Sequence, residues 1–215
     1  MTYVKASVRR PAGNPGNGIQ PKDQLVIYDV DDILSFPPRN DAGVVIEEDI
    51  VMKAGRYAIG IYLTPGTAEI SSNSDGETDA EGYTPSIKFN HPGNEQEIRE
   101  FKTNWLSKKC IVVLRYCSGK PADLIGTPCN PCKLSVSYTG SNESNTNKLT
   151  FTQISKGDDI AIYRGTDTLE EPVAVVEAGA TDIDYQTDGQ YQLSAGAAKI
   201  AGVTGGSHGS VITLM

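Results

Sequence analysis

Histidine is almost absent from this 215-residue chain, and His91 and His208 stand in no H-x-x-H or H-E-x-x-H spacing. A histidine-based metal site needs imidazoles on one face, so that chemistry is not expected. A G-x-S-x-G elbow is missing, which removes one common hydrolase layout. No run approaches the roughly 20 apolar residues of a membrane helix. Met1 to Gly18 lacks an apolar segment after its basic residues, so no secretory signal is read there. A soluble, cytoplasm-made protein is the expectation, although a processed secreted chain would read the same. Basic residues are also in deficit. Nineteen Lys and Arg against 27 Asp and Glu leave a formal charge of −8, the wrong sign for a reader of duplex nucleic acid. That charge is compatible with a surface that DNA slides past.

Cysteine is scarce and ill-spaced. Cys110 and Cys117 lie at an odd separation in one apolar run, which puts them on opposite faces of a strand. Cys129-Asn130-Pro131-Cys132 has the spacing of a redox pair or half a zinc site, but its second half is missing. Free, partly buried thiols are the reading, with a disulfide or zinc as alternatives. Asp31-Asp32 and Asp158-Asp159 read as solvated turns, and Ser74–Glu81 lacks the spacing of an EF-hand loop. Gly205–Gly209 precedes no helix that could hold phosphate. His91, beside Pro92, reads as a turn residue. No catalytic, metal or cofactor site is expected, and the chain is not read as an enzyme.

What the chain has is turn and strand chemistry. There are 22 Gly and 12 Pro, with one Trp and four Phe, so the core must rest on Val, Ile, Leu and Tyr. The one convincing helix is expected near residues 94–109. Asn94 and Glu97 make a capping-box pattern, and Ile98, Phe101, Trp105 and Leu106 form one apolar stripe. Lys102, Lys108 and Lys109 lie where cations suit the helix dipole. A single helix with one apolar face must lie on a sheet, so the fold class is mainly β (α+β).

Three regions follow along the chain. Residues 1–22 are a Pro/Gly/Asn-rich arm carrying Lys5, Arg9, Arg10 and Lys22, expected to be extended or disordered in isolation. Residues 23–165 are the β-rich body. A strand is expected over Gln24–Val30, and a hairpin joins Val44–Met52 to Arg56–Leu63. A long acidic loop over Thr64–Gly82 carries Glu69, Asp75, Glu77, Asp79 and Glu81. Further strands are read at Tyr83–Asn90, Cys110–Tyr116 and Lys133–Tyr138. A second hairpin joins Leu149–Ile154 to Asp159–Tyr163. Residues 166–215 are acidic, with short strands at Val173–Glu177, Gln190–Leu193 and Ser210–Leu214. They form a small β appendage or complete the main sheet.

A basic arm, an over-long acidic loop and an acidic C-terminal region make sense as parts ordered against neighbouring copies. The run from His91 to Gly165 carries a helix at Glu95–Lys109, a strand at Cys110–Tyr116 and a turn at Leu124-Ile125-Gly126. The polar spacer Thr139–Asn147 and the hairpin Lys148–Gly165 complete it. This run, a third of the chain, resembles the core of a tail tube (major tail) protein of long-tailed bacteriophages, with the flavour of phages of Bacteroidetes. The resemblance implies two packed antiparallel sheets, as a sandwich or half-barrel with one flanking helix. It also implies hexameric rings, stacked through the loop and the arm around a DNA-conducting channel. Self-association, other tail proteins and double-stranded DNA passing without specific binding would be the partners, with no membrane. The location implied is the virion tail, assembled in the host cytoplasm. Lys5, Arg9, Arg10, Glu69, Asp75, Glu77, Asp79 and Glu81 would then be contact residues between subunits or rings. Glu47 and Glu48, near the start of an expected strand, are candidates for a lumen that repels phosphates. Alternatives are another virion component (tail terminator, head–tail connector or capsid decoration protein), a non-viral β-sandwich binding module, or an enzyme.

Overall fold

A computed structural model describes residues 6–14, 16–117, 119–167 and 169, together with the backbone of five short strands between 174 and 214. The chain divides into two compact units, Met1–Leu169 and Glu170–Met215. The first runs β1 (Pro21–Asp29), a 3-10 turn (Val30–Asp32), β2 (Ile33–Ser35), β3 (Val45–Ile46), β4 (Val51–Met52) and β5 (Ile59–Tyr62). Next come β6 (Glu69–Asp75), β7 (Gly82–Pro92) and α1 (Gln96–Trp105). The unit closes with β8 (Cys110–Tyr116), β9 (Ala122–Ile125), β10 (Cys132–Gly140), β11 (Asn145–Gln153) and β12 (Ala161–Tyr163). Among the described residues the class is mainly β with one α-helix, as expected.

β8 organises this unit because its run Ile111-Val112-Val113-Leu114 is apolar on both faces, the mark of a strand buried on both sides. One edge of β8 pairs antiparallel with β1. The other edge is shared: Val112–Leu114 pair with β9, while Cys110 pairs with Cys132 of β10. At that single pair the ten-stranded sheet turns a corner. Beyond it run β10, β11, β7 and β6 in order, all antiparallel. The apolar faces of the two halves meet in one cluster containing Leu25, Ile27, Val112 and Leu114 from one side and Ile87, Phe89, Leu149 and Phe151 from the other. The two layers are thus halves of one folded sheet, which stays open. A second cluster, with Val26, Tyr28, Ile111, Val113, Leu124 and Tyr163, covers the opposite face of β1 and β8. The sheet is mixed, since β12 pairs with β3 in parallel.

The helix is shorter than its sequence pattern. Glu95 is the N-cap, and no side chain caps it. Asn94 is drawn away from the capping box because its Oδ1 accepts from Lys102 Nζ at 2.8 Å. At the other end, Lys108 pairs with the buried carboxylate of Asp29, and the Lys109 carbonyl accepts from Val30 N–H. Those bonds pull the chain into β8. Ile98 is therefore buried, Phe101 and Trp105 are half-buried and stacked 5.6 Å apart, and Leu106 is 54% exposed instead of belonging to the core.

Five other expectations are corrected. Thr64–Gly82 is not a long loop. Glu69–Asp75 forms β6, paired along its whole length with β7 in the single chain. Apart from Ile70, which packs on the core, its side chains are polar on both faces, and that pattern hid a strand defined chiefly by its backbone hydrogen bonds. Val44–Met52 does not form a hairpin with Arg56–Leu63. It breaks into β3, which pairs with β12, and β4, which pairs with β2, while β5 pairs with β1. Leu149–Ile154 and Asp159–Tyr163 do not pair either, since β11 lies between β10 and β7 and β12 lies against β9. Ala122–Ile125 is strand, with the turn deferred to Gly126 at φ +92°. The spacer Thr139–Asn147 is largely the closing end of the β10–β11 hairpin.

The second unit has β13 (Ala174–Val176), β14 (Asp182–Asp184), β15 (Gln190–Leu193), β16 (Gly202–Thr204) and β17 (Thr213–Leu214). Three parallel pairs join strands two apart in the chain: β13 with β15, β15 with β17, and β14 with β16.

Candidate functional site

The residues singled out as contacts fall into two surfaces. Arg9 and Arg10 lie in the arm, whose residues 6–14 and 16–20 are all exposed; Lys5 lies outside the described residues, as do His208 and Gly205–Gly209. The five acids gather on the β6–β7 hairpin. Glu69 pairs with Lys88 across the ladder at 2.8 Å, and Asp75 pairs with Lys156 at 3.1 Å. The Lys156 hydrogen bond and charge hold the Asp75 carboxyl below its ordinary value. Glu77, Asp79 and Glu81 stand exposed at the tip. Asp79 takes φ +69°, a left-handed conformation that Asp tolerates better than most residues.

β6 is the end strand of the sheet and, among the described residues, is hydrogen-bonded only to β7. Its outer backbone edge is open for seven residues, with Ser71, Ser72, Asn73 and Ser74 between the two acids. Neither Pro nor Lys protects it, the usual devices against edge pairing. β3 ends the sheet on the other side, where Asn40 bonds both the N–H and the carbonyl of Val45, and β5 is a third end strand, preceded by Ala58, which bridges to Leu169.

The lumen candidates are corrected in position. Glu47 and Glu48 follow β3 and do not share a strand face. Glu47 makes two hydrogen bonds with Arg164, at 3.0 and 3.1 Å, while Glu48 is exposed. The charge of Glu47 is thus already matched.

Sequence reasoning missed one polar centre. Arg115, the lone charge in the apolar β8 run, donates from Nε to Asp167 and from Nη2 to the Gly165 carbonyl at 2.7 Å. Asp167, with only 6% of its side chain exposed, also accepts from the Tyr28 hydroxyl at 2.5 Å. Burial, then the Asp167 charge, pushes the Tyr28 hydroxyl far above the ordinary tyrosine range, so it stays a donor. Burial opposes the charge of Arg115, and the hydrogen bond and charge of Asp167 outweigh it. Thr166 donates from N and Oγ1 to Asp49 at 2.7 and 3.0 Å. Those bonds hold the Asp49 carboxyl below its ordinary value. A groove lined by Lys22, Gln24, Arg115 and Asp167 lies alongside. The arrangement clasps residues 164–167 to the sheet. A charged residue inside an apolar strand was the signal available for it.

Among the cysteines, Cys110 and Cys132 are buried partners at the sheet corner, and Cys117 and Cys129 are exposed free thiols. Burial pushes the Cys110 thiol up to about 12. His91 lies on β7 opposite Asn147 and not in a turn. No protein-family model, curated protein or solved structure matches this chain.

Proposed function

We propose that this chain is a tail tube subunit of a long-tailed bacteriophage. It would assemble in the host cytoplasm into stacked, hexameric rings around a channel for double-stranded DNA, with other tail proteins as partners and without catalysis. The observation that carries the reading is the open sheet: among the described residues β6 presents a seven-residue edge that no strand covers, while the other end strands, β3 and β5, are short and partly capped by Asn40 and Leu169. Unlike edges joined between copies make a head-to-tail contact, and such a contact generates a ring when its rotation closes. Edge pairing would also remove the aggregation hazard of a bare strand. The basic arm and the acidic hairpin tip offer complementary charges for stacking, and the net charge of −8 suits passage of DNA without capture.

Electron microscopy and light scattering of the purified chain over a range of concentration and salt test this reading. Rings or tubes with a central hole are expected. Folded, discrete globules under every condition would sink it and favour the binding-module alternative.

A further inference from the structure

Lys102, on the sheet-facing side of α1, has no carboxylate partner among the described residues. Its Nζ donates to two side-chain amides instead: Asn147 Oδ1 at 2.6 Å and Asn94 Oδ1 at 2.8 Å. It also lies 5.2 Å from the centre of the Tyr138 ring. Asn147 has no exposed surface. Its carboxamide is held from both ends, since Nδ2 donates to the Gly93 carbonyl at 2.6 Å. A hydrogen bond of that length brings Nζ to about 3–4 Å from the amide carbon, close to the separation from which a nucleophile attacks.

The cross-strand neighbour of Asn147 is His91. Strand alternation places both on the core face, with Phe89, Leu149 and Phe151. The Tyr62 ring packs edge-on against the imidazole, and Nδ1 is buried with no hydrogen-bond partner. Burial holds His91 below the ordinary histidine value; the backbone of Pro92 pulls the other way, and the Lys102 charge lowers it further. Burial, then the nearby Arg99 charge, lowers the Lys102 ammonium. Both shifts favour the neutral bases. The Lys102 amine thus lies on a rigid, desolvated amide, and the residue paired across the ladder from that amide is an imidazole with an unpartnered buried nitrogen.

We propose that Lys102 and Asn147 form an intramolecular isopeptide bond that ties α1 covalently to β11. Neutral Nζ attacks Cγ of Asn147, forming the Nζ–Cγ bond. His91 Nδ1 takes a proton from Nζ and delivers it to Nδ2. The Cγ–Nδ2 bond breaks, and Nδ2 leaves as ammonia. No oxidant or co-reactant is needed. Asn94 is the less suitable electrophile, being more exposed and on the longer hydrogen bond. The inference is independent of the assembly reading.

Intact mass spectrometry of the purified, denatured full chain tests it, followed by digestion and sequencing of branched peptides. The expected result is a chain lighter by one ammonia and a branched peptide joining Lys102 to Asn147. Lys102→Arg keeps the charge but should show the full mass, with a lower melting temperature. His91→Gln should slow the appearance of the linked species by about 100-fold or more, the usual weight of a proton-transfer group. Full mass in the folded wild type after prolonged incubation would overturn the proposal. So would ammonia loss without a branched peptide (the mark of a succinimide), or a branch mapped to Asn94.

Discussion

Replacing Asp167 by Ala probes the clasp between the sheet and the segment that follows β12. Two groups lose their partner at once. The Tyr28 hydroxyl, in a residue 1% exposed, would be buried without an acceptor, which costs about 1–3 kcal/mol. Arg115 would lose its counter-charge. Breaking a fully buried ion pair costs about 3–5 kcal/mol, but 28% of the Arg115 side chain is exposed and its Nη2 keeps the Gly165 carbonyl. Water therefore recovers much of that term, leaving about 1–2 kcal/mol. The sum is about 3 kcal/mol, a fall of roughly 6–12 °C in melting temperature for a domain of this size. Tyr28→Phe alone should cost about 1 kcal/mol, and combined with Asp167→Ala it should be less destabilising than Asp167→Ala by itself, because the stranded hydroxyl is gone. Urea unfolding followed by tryptophan fluorescence suits the measurement, since Trp105 is the only tryptophan and lies in the first unit. An Asp167→Ala variant within about 0.5 kcal/mol of wild type, or a double variant no better than the single one, would refute the reasoning.

Four further outcomes are expected. Phe101→Ala and Trp105→Ala, both half-buried, should each cost about 1–3 kcal/mol, less than a fully buried aromatic, while Leu106→Ala should stay within about 0.5 kcal/mol; calorimetry checks this. His91 binds its proton less readily folded than unfolded. Its contribution to stability is therefore fully present above the unfolded value of about 6.5 and is lost progressively as pH falls from there through the lower folded value. Melting curves of wild type and His91→Gln through that window should differ in slope, and parallel curves would contradict the assignment. Hydrogen exchange should find the β6–β7 ladder protected in the free chain and residues 6–20 unprotected, with assembly extending protection to the outer edge of β6. Unchanged exchange at that edge in assembled material would remove β6 from the interface. Under native conditions a thiol reagent should label Cys117 and Cys129, and all four cysteines only after unfolding, as mass spectrometry would count.

Elements whose side chains meet one environment at a regular period were legible along the chain. The doubly apolar run at β8 declared a central strand. The spacing of Ile98, Phe101 and Trp105 declared a helix with one buried face. Scarce aromatics and abundant turn residues declared the β class. Arg115 declared that something charged must meet it, but its partner lies 52 residues away, a distance across which no local pattern reaches.

Tertiary structure decided which strands pair and where elements stop. β6 has one apolar side chain, Ile70, too few to show a period, so its hydrogen bonds to β7 are what reveal it as a strand. Val44–Met52 looked continuous, yet β12 and β2 each claimed a piece. The apolar period ran on to Leu106, but Asp29 and Val30 captured Lys108 and Lys109 and ended the helix first. Asn147 and Lys102 look like ordinary polar residues of a spacer and a helix until β11 is laid beside β7 and beneath α1. Side-chain periodicity records burial along one segment, whereas backbone pairing and the meeting of distant polar groups depend on which other segment arrives there. That choice is made by the whole chain when its apolar faces close on one another.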